Sequence, residues 1–181
     1  AMPGCIAVDN DGRRFVNEGA SYQTFVGTMH QRALTTVHLI ADRPFLRSYG
    51  LGLARPSPFS ERPFVDAGYL IEAPTLAELA RKIGVDAATL ETTVRDFNAN
   101  AQRGVDPEFG RGADAHSRFR GDQTHQPNPA LGPIVQGDYE EERRSMIAGG
   151  IWRDGEMIFE GSALNDVVVG RGNTASMIEM R

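Results

Sequence analysis

A single cysteine, Cys5, in 181 residues leaves no partner for an internal disulfide and too few thiolates for a cysteine-rich metal centre. The four histidines (His30, His38, His116 and His125) show no His-x-x-x-His spacing, so no metal site is expected. No apolar run approaches the ~20 residues that a membrane-crossing helix needs. The N-terminus carries no basic-then-apolar leader, which makes the cytoplasm the expected compartment. A net charge of −5 argues against a general nucleic-acid binder, which would present a basic face. No Gly-x-Ser-x-Gly elbow frames a serine nucleophile, and there is no internal repeat. With 40% hydrophobic and 24% charged residues the chain is expected to bury a core of its own, at a length that suits one ordinary domain.

Gly, Pro and capping residues divide the chain into short elements. Residues 4–9 read as a strand, Asn10-Asp11-Gly12 as a tight turn, and residues 13–16 as the returning strand of a hairpin. Tyr22, Phe25, Val26 and Met29 recur at spacings of three and four, which predicts a helix within 21–33. Residues 37–41 form an apolar strand stopped by Asp42-Arg43-Pro44. Gly50, Gly52, Pro56, Pro58 and Pro63 exclude a long helix or a central strand from 50–63, and a short strand follows at 69–71. Thr75-Leu76-Ala77-Glu78 is a capping box that opens a helix running to Ile83, with Gly84 as its left-handed stop. Asp86 caps a second helix whose apolar face is Leu90, Val94, Phe97 and Ala101, and Gly104 ends it. Residues 104–138 are irregular, a length that in a compact domain signals function or disorder. Residues 139–145 are highly charged and read as a solvated helix. Short strands are expected at 147–152, 156–159 and 167–169.

Several phrases carry more information in series than alone. Gly12-Arg13-Arg14-Phe15-Val16-Asn17-Glu18 with Ser21-Tyr22 comes first, then Ala41-Asp42-Arg43, Gly68-Tyr69-Leu70-Ile71 and the Thr75–Ala80 segment. Val94-Arg95-Asp96-Phe97-Asn98, Arg103-Gly104-Val105-Asp106 and Phe109-Gly110-Arg111-Gly112 follow, and then Gly121-Asp122 and the Pro127–Ile134 segment. This ordered series resembles the substrate-capping domain of the FAD-dependent fumarate reductase/succinate dehydrogenase flavoprotein class, within it the 3-ketosteroid dehydrogenase-like branch. The resemblance covers residues 4–134. It implies an α+β cap, with a small, mostly antiparallel sheet and helices packed beside it. Residues 135–181 then read as a divergent remnant of the chain's return to an FAD domain.

The resemblance also implies roles. A cap of this kind closes over the flavin ring and holds substrate against it. Tyr22 takes the place of a tyrosine that serves as base, removing a proton next to a carbonyl while a hydride leaves the neighbouring carbon for the flavin. A phenol with an ordinary pKa of ~10 needs assistance to do this near neutrality. Taken as a residue alone, Tyr22 reads as packing before it reads as a base, and the resemblance is what sets the two readings level. Arg14, Asn17 and Glu18 are substrate-side candidates on the same ground; local ion pairs and turn hydrogen bonds are their other reading. Gly172-Asn173 resembles a phrase beside the flavin and supplies the cofactor-side candidates.

The tail admits a second match. Residues 167–169 followed by Gly170-x-Gly172-x-x-Ala175 fit the strand-then-glycine fingerprint for a pyrophosphate. That fingerprint needs a following helix and an acidic residue ~20 positions on, and six residues follow Ala175. Eleven residues precede Gly12, where the class has a whole dinucleotide-binding fold. The expectation is therefore a truncated or isolated cap that binds no FAD and is inactive alone, with a steroid-like or other apolar carbonyl compound as the family's substrate. The alternatives are a split enzyme whose FAD-binding domain comes in trans and a non-catalytic, homodimerising module derived from the cap.

Overall fold

The computed structural model describes residues 1–135 in full and, beyond them, the backbone of five strands. The strands are β1 (Cys5–Val8), β2 (Thr36–Asp42), β3 (Leu70–Ala73), β4 (Tyr139–Ser145), β5 (Ile147–Arg153), β6 (Glu156–Ala163), β7 (Val168–Arg171) and β8 (Thr174–Met177). The helices are α1 (Tyr22–Gln31), α2 (Arg43–Tyr49), α3 (Arg62–Asp66), α4 (Leu76–Ile83), α5 (Ala87–Ala101) and α6 (Ala115–Phe119). Chain contacts divide the molecule into one unit of Ala1–Arg143 and a second of Arg144–Arg181.

The first unit is α+β, built on a small sheet with strand order β1-β2-β4-β3. β1 runs antiparallel to β2, with Ile6 opposite Ile40 and Val8 opposite His38, and β3 runs antiparallel to β4. Successive side chains leave a strand on opposite faces, and here both faces are covered. Ile6, Val8 and Ile40 pack with Leu79 and Ala80 of α4 and with Leu90, Val94, Phe97 and Ala101 of α5. Ala41 and Leu70 pack with Phe45 and Leu46 of α2, and Phe64 and Val65 of α3 lie against that cluster. Cover on two sides explains why β2 reads as a nearly unbroken apolar run rather than an alternating one.

The helix boundaries follow from caps. Thr75 Oγ1 accepts the Glu78 amide, Gly84 closes α4 at φ 79°, and Asp86 accepts the Thr89 amide to open α5. Two helices run where the sequence suggested only stops and loops. Asp42 accepts the Phe45 amide at 2.7 Å and Pro44 sits in the first turn of α2; Pro63 does the same in α3. A proline in the first turn starts a helix as readily as it ends one, since its missing N–H has no partner there in any case.

Two further expectations are corrected. The hairpin after β1 stops at one bridge, between Val8 and Arg14, and β1 takes β2 as its ladder partner. Arg14, Phe15 and Val16 are all buried, so this segment turns inward instead of alternating along an edge. Residues 139–145 form β4, not a solvated helix. Between β2 and β3 that stretch meets backbone donors and acceptors that would otherwise lack partners.

Residues 104–135 contain α6 and little other regular structure. Side chains organise the stretch by bonding its backbone. Asn128 Nδ2 donates to the carbonyls of Gly104 and Gly112, each at 3.0 Å. Asn98 of α5 grips Ile134 twice, donating to its carbonyl and accepting from its amide, both at 2.8 Å. Asp42 Oδ2 accepts the Val135 amide at 2.7 Å.

In the second unit, β5 and β6 pair antiparallel with an irregularity at Ile151/Trp152, and β7 pairs antiparallel with β8. Residues 174–177 are thus a strand where the pyrophosphate fingerprint requires a helix. Gly172 and Asn173 lie outside the described residues.

Candidate functional site

The segment from Gly12 to Tyr22 is a folded hub. Asp9 Oδ1 accepts the amides of Asp11 and Arg13 at 3.0 and 2.9 Å, which shapes the turn, and Gly12 takes φ 81°. A side chain at Gly12 would also press on the Leu90 backbone, 3.3 Å away. Asn17 Oδ1 accepts the Gly19 amide at 2.8 Å, and Ser21 Oγ caps α1 by accepting the Thr24 amide at 3.2 Å. Phe15 meets Phe25 edge to face at 5.3 Å, and Met29 is fully buried, so one face of α1 is anchored. Tyr22, in its first turn, is left 50% exposed.

Beneath this surface lies a buried ion network. Arg14 Nε and Nη2 donate to the two carboxylate oxygens of Glu18 at 2.9 and 2.8 Å. Its Nη1 and Nη2 donate to the two oxygens of Asp106 at 3.0 and 2.9 Å. Arg111, fully buried, donates through Nη1 to Glu18 at 3.2 Å and to the Cys5 carbonyl at 2.6 Å, and through Nη2 to the Met2 carbonyl at 2.7 Å. The Ala7 amide adds a bond to Glu18 at 3.1 Å. The Arg14 guanidinium lies 5.0 Å from the centroids of both Phe97 and Phe109.

In the interior two guanidinium groups balance two carboxylates, each of which takes a bidentate partner, and a third carboxylate, the exposed Glu108, reaches Arg14 at 3.6 Å. Burial pushes the Glu18 carboxyl up, but the Arg14 hydrogen bonds and the Arg111 and Arg14 charges outweigh it, so Glu18 sits below the usual carboxylate range. Asp106 follows the same pattern, burial opposed by Arg14, and is also lowered. Burial works against the charge of Arg14, yet Glu18 and Asp106 raise its affinity for the proton. All three groups stay charged across the physiological range.

The structure therefore brings Arg14 and Glu18 together in the interior, places Asn17 in a local turn, and leaves Tyr22 on the surface. Arg14 and Glu18 side chains are 2% and 7% exposed and bonded on both edges, so a ligand would have to displace an existing ion pair to reach either. Asp106 and Arg111 complete the network although no role was assigned to them from sequence. The available signal was two opposite charges in an irregular stretch, with Arg111 flanked by Gly110 and Gly112. Among the described residues, no group of three or more His, Cys, Asp or Glu side chains is placed to hold a metal, and no helix is long and apolar enough to cross a membrane.

Residues 1–156 match the family profile described as FAD binding domain. The chain belongs to that family. It is 47% identical over 142 residues to a 4-oxocyclohex-2-ene-1-carboxylate 5-dehydrogenase of Sinomonas cyclohexanicum, an overlap of 76% of this chain and 24% of that protein. It is 30% identical over 180 residues to a 3-oxosteroid 1-dehydrogenase of Mycolicibacterium smegmatis, with 88% of this chain and 32% of that protein covered. Among solved structures, a 3-ketosteroid Δ1-dehydrogenase of Sterolibacterium denitrificans bound to 1,4-androstadiene-3,17-dione superposes with a TM-score of 0.73 at 35% identity, over 78% of this chain and 27% of that one. The chain thus spans about a quarter to a third of these dehydrogenases. A different group also matches: a NAD kinase of Acidovorax sp. strain JS42 is 54% identical over 52 residues, 29% of this chain and 17% of the kinase.

Membership in this family raises the question of where FAD phosphates would sit. A pyrophosphate is held by free amides at a helix N-terminus after a glycine-rich turn. Among the described residues five of the six helix starts are already in use, and the sixth, that of the five-residue α3, follows the acidic Glu61. Asp42, Asp86 and Asp114 cap α2, α5 and α6, and each would also repel a phosphate; Ser21 and Thr75 cap α1 and α4. β1 leads into the Asn10-Asp11-Gly12 turn rather than into a helix. The described residues do not fit the phosphates of FAD.

Proposed function

We propose that residues 4–134 are the substrate-covering part of an FAD-dependent dehydrogenase, one that removes hydrogen next to a ring carbonyl. The observation that carries this reading is the joint likeness to an oxocyclohexenecarboxylate dehydrogenase at 47% identity and to a steroid-bound ketosteroid dehydrogenase at a TM-score of 0.73. Both relatives act on a carbonyl-bearing ring. The described residues supply the substrate side of such a reaction, and an FAD-carrying partner supplies the redox side.

On this reading Tyr22 is the base. Its ring stands half exposed at the start of α1, where a substrate pressed against the surface can reach the phenol. A phenol so placed would take the proton from the carbon beside the carbonyl as the hydride leaves its neighbour. Arg14 and Glu18 act as positioning residues: they hold the 17–21 turn, and with it Ser21 and the first turn of α1, against Asp106 and Arg111. The substrate would be an apolar cyclic ketone.

The test is complementation. The full chain is added to the Sinomonas dehydrogenase from which the homologous segment has been deleted, and dye-coupled oxidation of 4-oxocyclohex-2-ene-1-carboxylate and of a 3-ketosteroid is followed. Restored turnover that falls by about 10²–10⁴ in Tyr22→Phe is the expected result. A flavin-bearing complex with no turnover, or a Tyr22→Phe chain as active as the original, would refute the assignment.

A further inference from the structure

We infer that the chain is composite: from about residue 136 onward it descends from the lineage of the NAD kinases and does not complete the flavoprotein fold. The first ground is the two sets of likenesses. A stretch of 52 residues at 54% identity to a kinase cannot lie inside the segment that is 47% identical to a dehydrogenase, because one segment does not have two ancestries. Counted back from Arg181, 52 residues reach Ala130, next to Ile134, where the ordered series of flavoprotein phrases ends. The steroid dehydrogenase structure covers 78% of the chain and leaves 22%, less than the 29% that the kinase matches, so the two likenesses meet or overlap near the junction. The family profile runs on to residue 156, and two dehydrogenase alignments reach 89% and 88% of the chain, at 37% and 30% identity. At 54% identity over its 52 residues the kinase stretch stands above both of those longer alignments, and on that ground the tail is assigned to it.

The second ground is independent of ancestry. β4 is an interior strand of the sheet, between β2 and β3, yet five of its seven residues are charged: Glu140, Glu141, Glu142, Arg143 and Arg144. Its neighbour β2 has five buried residues among seven. The register sets Glu140 opposite Glu72 and Glu142 opposite the buried Leu70. Like charges directly across a strand pair are destabilising, and a strand covered on both faces is ordinarily apolar throughout. β1 has no charged residue, β2 has one acid at its end and β3 has one, Glu72, whereas β4 has five, as a strand that did not evolve in that place would. The third ground is the tail's own pattern: β7, which contains Gly170, is followed by the strand β8, where a strand-turn-helix return to a nucleotide-binding sheet needs a helix. On this inference Gly172 and Asn173 have no part in a flavin site.

The full chain carries its own reporters. Trp152, in β5, is the only tryptophan, while every helix among the described residues lies before residue 120. Urea unfolding is followed at once by Trp152 emission and by helical circular dichroism, and hydrogen exchange is read at β4 and β2 by mass spectrometry. A composite chain gives separate curves, with Trp152 changing at lower urea or showing no transition, since coincidence of probes is the mark of one cooperative unit. It also gives β4 amides that exchange at least ~100-fold faster than those of β2. Superimposable unfolding curves, or β4 amides as protected as those of β2, would overturn the inference. Neither readout depends on activity, so a failed complementation and a failed composite origin are told apart.

Discussion

Arg14, Glu18, Asp106 and Arg111 come from two separate stretches of chain, and the energy of their meeting is set by what surrounds them. Charges in the interior are costly unless every partner is present, and removing one partner of a buried pair costs about 3–5 kcal/mol. Glu18→Gln should lose about that much in urea-monitored stability, because Arg14 keeps Asp106 and the exposed Glu108 but loses its bidentate partner, and Arg111 loses its carboxylate. The pH dependence follows with a definite sign. Glu18 and Asp106 have folded pKa values below their unfolded ones, so their stabilisation is present above the ordinary carboxylate range near ~4 and is lost as pH falls through the folded values. The wild-type denaturation midpoint should therefore drop steadily below about pH 4, and Glu18→Gln should show a shallower drop. At this scale the sequence was legible in part. Arg14 and Glu18 stand four apart after a turn, and a local ion pair was one of their two readings. Their partners lie 92 and 93 positions further on, a closure that no local pattern reveals.

Among the elements, those with their signals inside one segment were the readable ones. Thr75, Gly84 and Asp86 announce α4 and α5 by capping chemistry alone, and the stripe of Leu90, Val94, Phe97 and Ala101 gives the buried face of α5. Pro44 and Pro63 misled because the same residue that stops a helix suits its first turn. β4 misled because a charged heptapeptide has no strand signal of its own, and only the positions of β2 and β3 make it one. The 104–135 stretch shows the reverse case, order without periodicity, held by single amides. Asn98→Ala removes both bonds to Ile134 and leaves that backbone pair without its partner. A loss of about 1–3 kcal/mol is expected, and the Ile134 amide, read by hydrogen exchange, should become much less protected. A change confined to stability, with Ile134 still protected, would show that water or another group replaces the side chain.

For the molecule as a whole, family membership and phosphate geometry pull apart. The chain belongs to an FAD-binding family, yet the N-termini of α1, α2, α4, α5 and α6 are closed by its own side chains. A ligand that binds only the folded state raises stability in proportion to the logarithm of its saturation. Excess FAD should therefore leave the unfolding midpoint of the first unit unchanged, read by helical circular dichroism. An upward shift, or a yellow protein after gel filtration, would show that the described residues hold the cofactor by some other route.

The placing of Arg14 over the rings of both Phe97 and Phe109 also has a spectroscopic consequence. Protons held over the faces of two aromatic rings are shifted upfield by ring currents. The Arg14 side-chain resonances should then stand apart from those of the exposed arginines. Because the guanidinium is also sealed from water, its Nε proton should persist in a spectrum where its exposed counterparts have exchanged away. One resolved signal at that position reports whether Gly12 to Glu18, α5 and the 104–112 loop have assembled, in any variant and without a substrate.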